Sequence, residues 1–336
     1  MTVSATNATT SHTTAATTNS PNRATRPSGS RRGNVARAIT TSTPAERTWS
    51  RGAGIIGGMI DVTGYLERIG YRGPVRPDTD TLVALHRAHL ATVPYENIDI
   101  QLGRPVSLDP AALADKIVRR RRGGFCFELN GAFGLLLSQL GFTVRYVRSA
   151  VNVERDGPAA WGNHLALLVA TGPDDWMLAD VGFGDGFLAP LPLAIGTYPQ
   201  GPLTYQVRRD LSGTWRMVHH PTGTAPGYEF RTDPLALNDF ADRCAELATA
   251  PSSSYVQTLV VQQPHHDHSM SLRARSLVRR SPDAIETRTL ADRDELAAAL
   301  ADFGVPVDAL GGDAVDALWR RADEQHRAWL SARGRI

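Results

Sequence analysis

The stretch Arg121-Arg122-Gly123-Gly124-Phe125-Cys126-Phe127-Glu128-Leu129-Asn130 separates two helical patterns and decides how the chain is read. Ahead of it, Asp109 and Pro110 have the chemistry of a helix N-cap and first turn, and Leu113 and Ile117 repeat at helical spacing into the arginines at 119–122. Beyond it, Leu129, Phe133, Leu136, Leu137 and Leu140 form a second apolar stripe that Gly141 closes. The paired glycines end the first pattern, so Cys126 falls at a helix N-terminus. Unsatisfied N–H groups and the positive end of the helix dipole favour a thiolate there, and a neighbouring imidazolium would favour it further. A Cys between two Phe residues can also be an inert buried thiol. Against that stand the glycine pair, which permits close backbone approach to a ligand, and a His and an Asp downstream with suitable geometry.

After residue 142 the hydrophobic period changes from helix to strand. Residues 143–153 are rich in Val, Tyr and Thr, and 163–170 and 176–181 are short apolar runs separated by Thr171-Gly172-Pro173-Asp174-Asp175, which reads as a hairpin turn. An odd loop, with Ala170 opposite Asp174 or Val169 opposite Asp175, puts His164 directly across from Asp180. Opposed side chains on one face of an antiparallel pair have Cβ atoms roughly 4.5–5.5 Å apart, near enough for a carboxylate to accept an imidazole N–H. An even loop sends the two to opposite faces. The alternative is a His that ends a strand and an Asp that caps a turn, each independently of the other.

The 336 residues, 42% of them hydrophobic, suit two or three domains' worth of core. No apolar run approaches the ~20 residues needed to cross a bilayer. Cys126 and Cys244 lack CxxC spacing, so neither a disulfide framework nor a thiolate zinc site is indicated, and a reducing cytoplasm is expected. Lys116 is the only lysine, and a net charge of +2 gives no footprint for nucleic acid. Residues 1–58 hold seven Arg against one Glu and lack apolar periodicity, so they read as a disordered extension, with Met59 opening the folded body. Ser30-Arg31-Arg32 resembles a twin-arginine signal without the apolar segment that must follow it, and an organelle transit peptide is the other reading of this opening.

Elsewhere, residues 81–91 read as a helix in which His86 and His89 pack rather than bind metal. The glycine-rich run at 181–187 is no dinucleotide fingerprint, because Pro190 and Pro192 forbid the helix that should follow. Further strands are expected at 203–208, 214–219, 256–262 and 272–277, continuing the barrel or sheet. His265, His266 and His268 around Asp267 read as a solvated hairpin turn. Residues 292–303 form a helix, and Val315, Leu318, Trp319, Ala322, Trp329 and Leu330 give a last amphipathic helix, expected to cover the third domain rather than to form a dimer interface.

Four ordered motifs then carry a family pattern. They are Val93-Pro94-Tyr95-Glu96-Asn97-Ile98-Asp99, the Cys126 stretch, Asn163-His164, and Leu178-Ala179-Asp180-Val181-Gly182-Phe183-Gly184. Together they resemble the arylamine N-acetyltransferases, over residues of about 61–307. The resemblance implies an α+β fold with a cysteine-protease-like N-terminal helical bundle (59–142), a central β-barrel (143–262) and a C-terminal α/β lid (263–310), to which this chain adds a C-terminal helix at 311–336. It implies that Cys126 is the acyl-accepting nucleophile, His164 its partner and Asp180 the orienting acid. It also implies a structural ion pair on Glu96 and Arg121, and an acyl-donor channel flanked by Phe183 and Gly184. Acetyl-CoA is then the co-substrate, a small arylamine or hydrazine the acceptor, and no metal, nucleic acid or membrane is expected; the protein is a monomer or homodimer. This chain departs from the pattern with Gly162-Asn163 before the His, Tyr95 where Phe is usual, and a partial lid segment at Thr249-Ala250-Pro251-Ser252. Two other chemistries compete: an amide synthase of the same family that releases a polyketide as a macrolactam, and a cysteine hydrolase that resolves the acyl-enzyme with water. A binding module without catalysis is a further alternative, but it gives no reason for Cys, His and Asp to recur together.

Overall fold

A computed structural model describes residues 59–333, so the extension expected at 1–58 lies outside the described residues. Helices at Val62–Arg68, Thr79–Thr92 and Cys126–Gln139 start where the sequence supplies the signals. Asp61 and Asp78 cap the first two through their side chains, each accepting a backbone N–H at 2.9 Å. The third has almost no polar face. Phe127, Leu129, Ala132, Phe133, Leu136 and Leu137 are all fully buried, each large apolar side chain contributing roughly 1.5–3 kcal/mol relative to exposure.

Eight antiparallel strands curl into a nearly closed, barrel-like sheet. Their spatial order runs Leu191–Pro192, Trp176–Ala179, His164–Ala170, Thr143–Val151, Gly227–Phe230, Trp215–Val218, Leu203–Arg209 and Gly196–Gln200. The two edge strands are neighbours in the chain, which brings the edges of the sheet toward each other. Val147, Ala166, Leu168, Phe187, Tyr205, Val207, Met217 and Phe230 fill one core on this sheet. The opposite face of the His164–Ala170 strand, through Leu165, Leu167 and Val169, joins the core of the Cys126 helix. Both faces of that strand are therefore covered, which is why it reads as an unbroken apolar run.

A second sheet has five antiparallel strands in the order Tyr95–Glu96, Val260–Pro264, Ser269–Arg273, Ser276–Arg280 and Ile285–Thr289. Two expected strands are corrected here. The segment 256–262 begins in a short helix, Ser254–Gln257, and its strand pairs with Tyr95–Glu96 rather than continuing the barrel. The segment 272–277 spans a tight turn between two strands, with Ala274 at φ +50°. Apolar content alone cannot separate a strand from a helix or from a short hairpin. Helices at Arg293–Asp302 and Gly312–Arg333 close the second core through Leu296, Leu300, Leu318 and Ala322, so the terminal helix covers this sheet as expected. Trp329 and Leu330, expected on its inward face, stay about half exposed at 48% and 51%.

The hairpin register also differs from expectation by two residues. Leu167 lies opposite Ala179 and Ala170 opposite Trp176, which leaves the five-residue loop 171–175 closed by Thr171 N–H to the Asp175 carbonyl at 2.9 Å. Asp180 thus follows the last paired residue and stands diagonal to His164. Because the slip is even, both side chains keep the same face.

Candidate active site

Cys126 is the first residue of its helix, and the segment before it is built for tight packing. A side chain on Gly123 would collide with the Pro94 carbonyl, so the close approach that this glycine permits is to protein backbone and not to a ligand. Arg121 takes a left-handed turn at φ +52°, held by Arg68, whose guanidinium donates to the Arg121 and Ile117 carbonyls at 3.1 and 3.2 Å. That turn exposes Arg121 and buries Arg122, which corrects the expected ion pair. Arg122 binds Glu96 at 2.7 and 3.1 Å and reaches Asp99 at 3.3 Å.

Lys116 completes the cluster, bonded to Glu128 at 2.8 and 3.0 Å and to Asp99 at 3.0 Å. A wide π-helical segment, Ala114–Arg119, lies between the Asp109 cap and the glycines and includes this lysine. Burial pushes the Glu128 carboxyl up despite its lysine partner, whereas Asp99, with Lys116, Arg122 and Arg104 against it, is held below its ordinary range in spite of burial. Glu128 also accepts the Phe125 N–H at 3.2 Å, which fixes the start of the Cys126 helix.

On the other side of the helix, His164 opens its strand, and its Nε2 donates to Asp180 Oδ2 at 2.7 Å. Both side chains are buried. Burial alone would push His164 down, but the Asp180 carboxylate and Cys126 outweigh it and raise the imidazole to about 10. Asp180 is lowered in turn, because His164, Asn130 and the Gly182 N–H overcome its own desolvation. The structure therefore joins His164 to Asp180 and leaves Cys126 near enough to act on the imidazole. Cys126 is 1% exposed, with Sγ 3.9 Å from both the Asn163 carbonyl and the Tyr255 hydroxyl.

Three contributors carried no assigned role in the sequence reading. Asn130 lies one helical turn beyond Cys126; its amide donates to the Leu165 carbonyl and to Asp180 Oδ1, both at 2.7 Å, and accepts the Val181 N–H at 2.9 Å. The available signal was a polar residue four positions from the Cys on an apolar helix. His86, expected as packing, stacks on Phe187 but also accepts the Asp180 backbone N–H at 3.2 Å. Burial holds its imidazole down at about 4, so it stays neutral and donates from Nδ1 to the Leu188 carbonyl at 3.1 Å. The third is Tyr255, at the end of the partial lid segment that the sequence tied to acceptor choice and not to the chemistry at Cys126.

Above these residues lies a cavity of about 670 Å³ whose wall includes Tyr95, Asn163, His164, Phe183, Tyr255 and Gln262. Phe183 meets the His164 ring edge-on at 5.6 Å. Gly184 is not on this wall; it backs onto the Gln262 side chain, and Gly182 lets the loop press against the Cys126 backbone. His265 and His268 stack at 4.5 Å in their hairpin turn, away from the cavity wall, and among the described residues no three His, Cys, Asp or Glu side chains are grouped to hold a metal ion.

Residues 78–310 match a family model described as N-acetyltransferase. The arylamine N-acetyltransferase of Mycobacterium tuberculosis is 36% identical over 262 residues, covering 75% of this chain and 92% of that protein. The chain belongs to the arylamine N-acetyltransferase family. The Mycolicibacterium smegmatis arylamine N-acetyltransferase is likewise 36% identical over 278 residues, 77% of this chain and 96% of its own. A solved structure of the Mycobacterium marinum arylamine N-acetyltransferase in complex with CoA superposes with a TM-score of 0.72 at 32% identity, covering 79% of this chain and 99% of that one. As a member of this family the protein is an acyltransferase, and no helix among its described residues is long and apolar enough to cross a membrane.

Proposed function

We propose that this arylamine N-acetyltransferase moves an acetyl group from acetyl-CoA to an aromatic amine or hydrazine through a thioester on Cys126. The observation that carries the reading is a thiol at the first position of a helix, beside a buried imidazole whose Nε2 is committed to a carboxylate at 2.7 Å. Nδ1 is then left for sulfur. The Cys126 thiolate attacks the thioester carbonyl, the tetrahedral intermediate expels CoA as its thiolate, and the His164 imidazolium protonates it. An amine then attacks the acyl-enzyme, gives its proton to His164, and Cys126 leaves as thiolate. Asp180 fixes the tautomer and stabilises the imidazolium. The arrangement of helix-borne nucleophile with sheet-borne His and Asp is read as cysteine-protease-like, with 59–142 and 143–262 as the contributing domains. Phe183 is read as a wall for the acyl donor, with Gly184 behind it supporting Gln262.

The relatives reported above carry the arylamine name, and nothing among them favours the macrolactam-forming alternative. The acceptor is read as a small molecule and the location as cytoplasmic, in keeping with two free, unlike cysteines. The test is intact mass after acetyl-CoA alone. One acetyl adduct on Cys126, discharged by an arylamine and absent from Cys126→Ser, is expected. A Ser variant that keeps a tenth of wild-type turnover removes Cys126 from the mechanism, and acetyl-CoA hydrolysis that amine does not accelerate reassigns the protein as a hydrolase.

A further inference from the structure

Tyr255 is held in place from several sides. Its backbone N–H donates to the Ser253 side chain at 3.3 Å, and its carbonyl accepts from Asn97 at 2.8 Å and Gln101 at 2.6 Å. Its ring meets Phe125, the residue before Cys126, edge-on at 5.2 Å. These contacts fix a phenol whose oxygen lies 3.9 Å from Cys126 Sγ and whose side chain lines the cavity together with Tyr95. A phenylalanine could fill the same volume against Phe125. What the tyrosine adds is one hydroxyl, beside the sulfur.

The position suits a particular atom. When sulfur bonds to an acyl carbon, the acyl oxygen sits two bonds from Sγ, and an O–H about 4 Å from the sulfur can meet that oxygen at the 2.7–3.1 Å expected of an oxyanion donor. We propose that Tyr255 is a catalytic residue of this site, donating a hydrogen bond from its phenol to the acyl oxygen in both half-reactions. As the thiolate, and later the amine, adds to the carbonyl carbon, the C=O π electrons move onto oxygen; the Tyr255 O–H stabilises that charge without giving up its proton. The departing CoA thiolate and the amine proton remain the business of His164. Burial raises the Tyr255 phenol well above its ordinary value, with Cys126 and Tyr95 acting in the same direction, so it stays a donor across the working range. Since the charge forms on the same oxygen in both steps, one donor serves both.

The inference rests on Cys126 as the acyl carrier, and the experiment separates the two. Wild type and Tyr255→Phe are mixed with acetyl-CoA in a rapid-quench apparatus; adduct formation on Cys126 and its discharge by an arylamine are followed by intact mass, across pH, with thermal unfolding as the folding control. The expected result is a loss on the order of a hundredfold in both rate constants, with the KM for acetyl-CoA within a few-fold, the pH midpoint of acylation unmoved and the unfolding temperature unchanged. Wild-type rates in Tyr255→Phe overturn the proposal. So does a variant whose plateau rate is intact but whose pH midpoint shifts, because that makes Tyr255 a modulator of the thiol and not a donor to the oxyanion. Absence of any Cys126 adduct in the wild type overturns the acyl-carrier reading itself, whatever Tyr255 does.

Discussion

The Cys126–Gln139 helix has a buried polar cluster on each side of its first turns, and the two are built to different rules. At the helix start, Glu96, Asp99, Lys116, Arg122 and Glu128 form a closed set in which each charge meets an opposite charge within 3.3 Å. Toward the cavity, Asn130, His86 and the Gly182 N–H satisfy Asp180, and Asp180 takes one nitrogen of His164, but among the described residues the other nitrogen has no partner of comparable quality. Both clusters carry the desolvation cost of buried polar groups. The closed one uses its interactions to define the start of the helix, and the open one keeps a hydrogen-bonding atom beside the thiol. A buried charge cluster therefore signals chemistry when one member is left with capacity to spare.

The largest expected effect falls on the open cluster. Asp180 Oδ1 already accepts from Asn130 and from the Gly182 N–H, so in Asp180→Asn the amide oxygen must occupy that place and the NH2 must face His164 Nε2. The imidazole is then forced into the tautomer that carries its proton on Nδ1, toward the sulfur. We expect kcat to fall by about 10⁴ while the protein stays folded at the assay temperature, as read by steady-state turnover and calorimetry. A fall below tenfold would mean that the carboxylate is one more structural anion and that the two clusters do not differ.

Next comes the closed cluster. Lys116→Met leaves Glu128 facing no cation and Asp99 with Arg122 and the half-exposed Arg104. A loss of about 3–5 kcal/mol in urea unfolding is expected, with turnover per folded molecule near wild type at a permissive temperature. An undiminished stability combined with a hundredfold loss of turnover would reverse the assignment of the two clusters.

The smallest effect is a pH dependence. His164 is raised in the fold from 6.5 to about 10, so its contribution is fully present below its unfolded value and is lost as pH rises through the folded one. The stability difference between wild type and His164→Gln should narrow between pH 6.5 and about 10. His86 runs the opposite way: being lowered to about 4, it makes the fold less stable as pH falls from 6.5 toward 4. Denaturant titrations at pH 5, 6.5, 8 and 10 measure both slopes, and a flat difference for His164 would show that the imidazole is not held by Asp180 in solution.

Local chemistry in the chain was enough to place Cys126 at a helix start, to mark Asp109 and Pro110 as a cap, and to put His164 and Asp180 in one hairpin, because caps, glycines and alternating apolar runs act over a few residues. It left the parity of that hairpin open, and the five-residue loop of the fold is what puts both side chains on one face. Nor did it carry the register: the pairing moved by two residues from the odd-loop expectation. Which arginine turns inward depended on a left-handed residue at Arg121 held by Arg68, fifty-three positions away. Asn130 and His86 became parts of the site only when the Asp180 turn packed against two different helices, and Tyr255 only when the strand after it paired with Tyr95–Glu96. Spacing along the chain determines which face a residue takes within one element; which elements meet is decided by long-range packing, and the polar atoms around Cys126 come from elements that meet in no other way.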